Sequence, residues 1–211
     1  MKRFAVVFLF LILMGKVSFS QGLGIGIGPS FWTNNEVSLE KFDLIKKDLD
    51  PGFNLNLRIK FDKDFVTYTV NGGWNKFTIS EVSISDPKTG EVYDLSLSQN
   101  IFPLSAGLQL NLIRLNPVKI YIAGDASLNI IKNSIDVKRK ISSQSIPIPV
   151  IFGDDTEYRG GLAPGLGVEL NLGIITLDVN AKLHYMNLFN KKDGEPTTSF
   201  LMTNVSVFFG N

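Results

Sequence analysis

The chain has 211 residues, with 21 basic and 20 acidic side chains, 44% hydrophobic residues and no cysteine. That length suits one large β domain. The near balance of charge argues against a dedicated nucleic-acid binder, and the lack of cysteine excludes a disulfide scaffold and a thiolate metal site.

The first 20 residues have the composition of a secretory signal peptide. Lys2 and Arg3 precede an uncharged apolar run over 4–14, and Ser18 and Ser20 occupy the small-residue positions of a cleavage site. The apolar run is short for a membrane span, which needs roughly 20 residues. The expected organisation is a signal peptide over 1–20 and one domain over 21–211. Cleavage removes Lys2, Arg3 and Lys16, leaving 18 basic and 20 acidic residues. No later stretch holds 18 consecutive apolar residues, so no transmembrane helix is predicted; an exported chain can still enter a membrane as a closed β-barrel.

Eight strands are predicted from period-2 alternation. The first, over 23–31, sets Leu23, Ile25 and Ile27 against Gly24, Gly26 and Gly28. Its glycines imitate a phosphate-binding loop, but that motif needs a strand before it and a helix after it, and neither is available. The bland reading is small residues on the crowded inner face of a narrow barrel. The second strand, over 52–61, opposes Phe53, Leu55, Leu57, Ile59 and Phe61 to Asn54, Asn56, Arg58 and Lys60. The third, over 65–77, opposes Val66, Tyr68, Val70 and Trp74 to Thr67, Thr69 and Asn71. Residues 79–100 read as a polar, irregular loop with a turn signal over 86–90.

The fourth strand, over 101–112, opposes Leu104, Ala106, Leu108, Leu110 and Leu112 to Ser105, Gly107, Gln109 and Asn111. The fifth, over 118–131, opposes Ile120, Ile122, Ala126 and Leu128 to Lys119, Asp125, Ser127 and Asn129. The longest predicted connection follows, over 132–156. The sixth and seventh strands, over 162–172 and 175–185, form a hairpin with Gly173-Ile174 at its tip. Glu169, Asp178, Lys182 and His184 lie on its polar face. Pro164 removes a ladder donor, which predicts a bulge or a later strand start. The eighth strand, over 200–209, carries Leu201, Val205, Val207 and Phe209 on its apolar face, with Thr203 as the main polar exception there.

Three features point to a membrane barrel. The strands run to about 9–14 residues, long enough to cross a bilayer when tilted. Short turns at 62–64, 113–117 and 173–174 alternate with long connections at 33–51, 79–100, 132–156 and 189–199, as in an up-and-down barrel with its short turns on the periplasmic side. One face is free of charge, while the other holds Arg58, Lys60, Lys119, Asp125, Glu169, Asp178 and Lys182. A charge at the bilayer midplane costs roughly 2–4 kcal/mol, so this segregation is informative. Aromatics gather near strand ends, with Phe31, Trp32, Trp74, Phe77, Phe102, Tyr158, Tyr185 and Phe200 at one rim and Phe61, Phe65 and Phe209 at the other. They are expected to form interfacial girdles.

In this layout the mature chain resembles the outer-membrane β-barrel domain family of Gram-negative bacteria, and within it the small OmpA-transmembrane and OmpX-like barrels often called porin family proteins. The resemblance implies an all-β, eight-stranded, antiparallel, up-and-down transmembrane β-barrel in the outer membrane. It also implies contact with outer-membrane lipid and lipopolysaccharide, and recognition of the strand over 200–209 by the barrel-assembly machinery of the cell envelope. Family members usually end on an aromatic residue; here Gly210 and Asn211 follow Phe208 and Phe209.

A barrel of eight strands has room inside only for side chains or one small ligand. Arg58, Lys60, Gln109, Asp125, Glu169, Asp178, Lys182 and His184 are therefore expected to form a lumenal polar network that plugs the barrel, with a structural role. No catalytic residue, metal or cofactor is assigned. His184 is the one histidine, but Met186 stands where an H-x-S element would place a serine, which disfavours a lipid-A-modifying enzyme. Asp154, Asp155 and Glu157 lack calcium-ligand spacing. Lys138, Arg139 and Lys140 form a solvated basic run that could also meet lipopolysaccharide. The expected role is structural, adhesive or envelope-related, through long extracellular loops. The alternative is a secreted lipocalin-like barrel that turns its apolar face inward around a small apolar ligand.

Overall fold

The computed structural model describes residues 20–33, 50–63, 65–85, 92–141, 144–147, 155–191 and 194–210, with side chains described for most of them. The proposed signal peptide lies almost wholly outside these residues. The described chain forms nine strands: β1 (Ser20–Trp32), β2 (Gly52–Lys63), β3 (Val66–Ser85), β4 (Val92–Leu115), β5 (Val118–Ile141), β6 (Gln144–Pro147), β7 (Asp155–Asn171), β8 (Ile175–Phe189) and β9 (Ser199–Phe209). Every pairing is antiparallel. Each barrel strand pairs with its neighbours in chain order, and β1 pairs with β9, so the sheet closes as an eight-stranded barrel. The ninth strand, β6, folds back on the outer end of β5, from Lys138↔Pro147 to Ile141↔Gln144.

The predicted alternation sets the register throughout the wall. Leu55, Leu57 and Ile59 of β2 point outward, while Asn54, Asn56, Arg58 and Lys60 point in. Closure removes both sheet edges, and each backbone ladder is satisfied by its neighbour. On the inner face of β1, glycine is demanded by close approach: a Cβ on Gly24 would stand 2.5 Å from the Phe208 ring.

Three expectations are corrected. The segments 79–100 and 132–156 are largely strand, not irregular loop. β3 runs on to Ser85 through a bulge between Ile79 and Val82, and β4 begins at Val92. β4 and β5 each have 24 residues, or about 80 Å at roughly 3.3 Å per residue. The alternation of Val92, Asp94, Ser96 and Ser98 with Tyr93, Leu95 and Leu97 carries this extension, but its polar content disguises it. Third, β7 starts earlier than expected, at Asp155, and its register shift against β8 lies between Gly160 and Leu162. Pro164 stays in register with Gly124 of β5. It turns its donor-less nitrogen toward β8, where the recorded pairing skips from Leu162↔Tyr185 to Gly165↔Lys182.

The short turns all lie at one end. In the β7–β8 turn, Leu172 N–H donates to Ile175 O (2.9 Å) and Gly173 N–H to Asn171 Oδ1 (2.8 Å). Gly173 has φ +92°, a left-handed conformation that glycine adopts without strain.

Candidate functional site

The barrel interior brings the charged residues together. At the short-turn end they form one continuous chain of ion pairs. Asp62 meets Lys119 at 3.1 Å, Lys119 meets Glu169 at 3.6 Å, Glu169 meets Lys60, Lys60 meets Asp178 at 2.5 Å, and Asp178 meets Arg58 at 3.4 Å. Gln109 Nε2 donates to Glu169 (2.7 Å), Tyr121 Oη donates to Asp178 (2.9 Å), and Asn180 Nδ2 also donates to Asp178. The Lys60 ammonium sits 4.0 Å from the centroid of the Phe208 ring. Higher in the barrel, Lys182 pairs with Asp125, which also accepts from Thr69 Oγ1 (3.2 Å).

Among the described residues this interior set holds four cations (Arg58, Lys60, Lys119, Lys182) and four anions (Asp62, Asp125, Glu169, Asp178). Asp62, which the sequence places in a turn, completes the neutral count. Burial of an ion is costly unless it is paired and hydrogen-bonded, and each of these is paired.

His184 does not join this network. Its ring stacks on Phe200 at 4.8 Å and 7°, and its Nε2 has no hydrogen-bond partner among the described residues. Above it lies an apolar layer that sequence reading misassigned. Trp32, Phe77 and Phe200 point into the barrel and form one aromatic cluster, with centroids 4.9–6.0 Å apart. Ile101, Ile131, Met186 and Met202 complete it. Parity on each strand already determines this: Trp74 faces out on β3, so Phe77 faces in, and Leu201 faces out on β9, so Phe200 faces in. Proximity to a strand end outweighed parity in the girdle reading. Phe31, Phe102 and Tyr158 do face outward.

Above the aromatic layer, the β8–β9 connection is tied to β7 and to the end of β8. Arg159 pairs with Glu157 (3.1 Å) and Glu195 (3.2 Å) and donates to Asn190 O (2.6 Å). Asn187 donates to Pro196 O (2.8 Å) and accepts from Thr198 N–H (2.7 Å). Between the ionic and aromatic layers is an interior cavity of about 20 Å³, lined by Asn56, Arg58, Asp125, Lys182 and His184 among others. Asn54 and Asn180, expected on the polar face but not in the network, are interior as well, and so is Tyr121, which the sequence reading assigned to neither face although its parity places it there. Calcium at Asp154 and Asp155, and the side chains of Lys138, Arg139 and Lys140, lie outside what is described.

The outer wall is the complement. Leu104, Leu112 and Leu166 are 58%, 61% and 62% exposed. On β4, outward residues from Phe102 to Leu112 are uninterrupted by charge. That span is roughly 33 Å along the strand, or about 25 Å in height at a 40–45° tilt, the height of the apolar band on membrane barrels. Thr203 on this face donates to Pro29 O (3.3 Å), so its hydroxyl is satisfied within the wall.

No protein-family model matches the chain, and no characterised protein matches its sequence. Solved structures do match its fold. Neisserial surface protein A is similar at a TM-score of 0.53 and 12% identity, over 90% of this chain and 97% of that one. Ail, the attachment invasion locus protein of Yersinia pestis, crystallised with the heparin analogue sucrose octasulfate, is similar at a TM-score of 0.49 and 13% identity, over 92% and 100%. With its closed ring of eight antiparallel strands, apolar outside and ionic inside, the chain has the fold of the small eight-stranded outer-membrane β-barrels. At these identities the likeness is one of fold.

Proposed function

We propose that the chain is an integral outer-membrane barrel, exported by its N-terminal segment, with a plugged lumen and a structural, adhesive or envelope-related role exerted through its long extracellular hairpins. The observation that carries this reading is the inverted distribution of polarity. Among the described residues, the ionic network inside joins four cations to four anions, and the apolar band outside carries no charge. A soluble ligand-binding barrel turns its apolar face inward, whereas here Leu104, Leu108 and Leu166 face outward. The plug is supported by two stacked layers, the ion-pair chain and the aromatic cluster. The reach of β3, β4 and β5 beyond the apolar band supports a role at the outer end. The reading includes assembly through the strand over 200–209, contact with membrane lipid and no catalytic residue. His184, packed flat against Phe200, has the surroundings of a structural residue.

Cell fractionation and detergent-gel mobility test it. The expected protein lies in the outer-membrane fraction and migrates differently before and after boiling. A soluble periplasmic protein with one mobility would overturn the reading.

A further inference from the structure

The outward face carries a feature that a plain lipid-facing wall does not need. At the long-hairpin end the apolar band stops on one register row across four adjacent strands. That row is Lys76 (β3), Asn100 (β4), Lys132 (β5) and Thr156 (β7), joined by the pairings Lys76↔Asn100, Asn100↔Lys132 and Lys132↔Thr156. The row beneath it is Trp74, Phe102, Ile130 and Tyr158, all outward. Trp74 Nε1 donates to Asn100 Oδ1 at 3.0 Å, which leaves the Asn100 amide group free to donate, in the row between Lys76 and Lys132. Lys132 Nζ lies 5.9 Å from the Phe102 ring centroid. Lys76 and Lys132 are both exposed, and neither has an ion-pair partner among the described residues. Two strand spacings separate them, about 10 Å, so their long side chains can converge on one anion above Asn100.

The wall below is recessed. A groove of about 630 Å³, almost wholly apolar, is lined by Ala106, Gly124, Ala126, Leu162, Pro164 and Leu188 among others. A Cβ on Gly124 would meet nothing within 4 Å, so the recess is open space and not a packing necessity. It shares β4, β5 and β7 with the basic row and extends onto β8; on β5, Lys132, Ile130, Leu128, Ala126 and Gly124 are successive outward residues. Ala126 is six residues below Lys132, roughly 20 Å along the strand, within the reach of a lipid acyl chain.

We propose that Lys76, Asn100 and Lys132 bind the headgroup phosphate of an outer-leaflet lipid, one of whose acyl chains lies in the groove at Gly124 and Pro164. The charge is complementary to a phosphate, and the row stands at the aromatic interface where headgroups lie, a depth at which lysines attract anionic lipid. This site rests on the membrane reading above.

The test uses the full folded chain, its fold checked by heat-modifiable mobility, in phosphatidylcholine nanodiscs doped with lipid A or with lipid A stripped of its phosphates. Retained lipid is counted by native mass spectrometry. The expected result is retention of the phosphorylated form over the stripped form, a roughly 30-fold weaker retention in Lys76→Gln/Lys132→Gln, a several-fold loss in Gly124→Leu, and no change in Lys63→Gln at the opposite rim. Equal retention of both lipids, or a double variant that retains as the parent does, overturns the site while leaving the membrane barrel standing. Displacement of the lipid by millimolar inorganic phosphate overturns the lipid assignment in favour of a free-anion site. A chain that never enters the bilayer overturns both readings.

Discussion

The side-chain amide of Asn54 donates to the carbonyl of Gly28 at 2.8 Å, at the seam where the first and last strands close the barrel. The carbonyls of Pro29 and Thr203 are also within reach of the same nitrogen, both at 3.1 Å. Pro29 has no N–H to give to β9, and the recorded β1–β9 pairing skips from Ile27↔Val205 to Ser30↔Met202. A fully buried side chain of β2 thus supplies donors at the gap that proline leaves. Asn54→Ala is expected to cost about 1–3 kcal/mol, the range for leaving buried acceptors unsatisfied. Urea unfolding in lipid vesicles, followed by tryptophan fluorescence, measures this; an unchanged midpoint would show that the seam does not depend on Asn54.

The Lys182–Asp125 pair can be tested without the longer ionic chain. Lys182→Met leaves Asp125 buried beside Thr69 alone and is expected to destabilise the barrel by about 3–5 kcal/mol. The double variant Asp125→Asn/Lys182→Met removes both charges and is expected to recover most of that loss. If the double variant is as unstable as the single one, the pair contributes packing and not charge compensation.

Gly24 faces Phe208 so closely that alanine cannot fit without displacing the ring. Gly24→Ala is expected to cost about 1–3 kcal/mol in the parent chain and much less in a Phe208→Leu background. A double-mutant cycle gives the coupling. Equal costs in the two backgrounds would place the strain elsewhere.

The outer wall makes a contrasting prediction. Leu166 is 62% exposed in the apolar band, and Ile174 is 89% exposed on the short turn. Leu166→Arg is expected to cost about 2–4 kcal/mol in a bilayer, and Ile174→Arg close to nothing. A barrel surrounded by water would tolerate both equally, so comparative refolding yields in vesicles separate the two environments.

The layered interior predicts an electrically silent protein. In planar bilayers the chain is expected to give no steady unitary conductance, because the proposed plug sets the ion-pair chain and the Trp32–Phe77–Phe200 cluster in the path through the lumen. Reproducible conductance steps would contradict the plugged lumen and leave the barrel itself intact.

Much of the wall was legible in the residues alone. Period-2 alternation assigns Leu57 outward and Arg58 inward, because a strand sends successive side chains to opposite faces and a one-residue slip would put every charge into lipid. The same rule would have found Tyr121 inside, between Ile120 and Ile122, and Phe77 and Phe200 in the lumen. The long hairpins were harder to read. Beyond the apolar band both faces of β3, β4 and β5 can be polar, so the sequence contrast that marks a strand fades at Ser83, Asp94 and Ser96.

The sequence by itself determined which residues face in and which face out, since alternation is a local property of each strand. Only the tertiary structure decided who meets whom. Lys60 reaches Asp178 across 118 residues of chain, Asn54 reaches the β1–β9 seam, and Lys76 and Lys132 share a row. Those meetings depend on strand register and on closure of the ring. They are long-range quantities set by the whole barrel at once, and no single strand contains them.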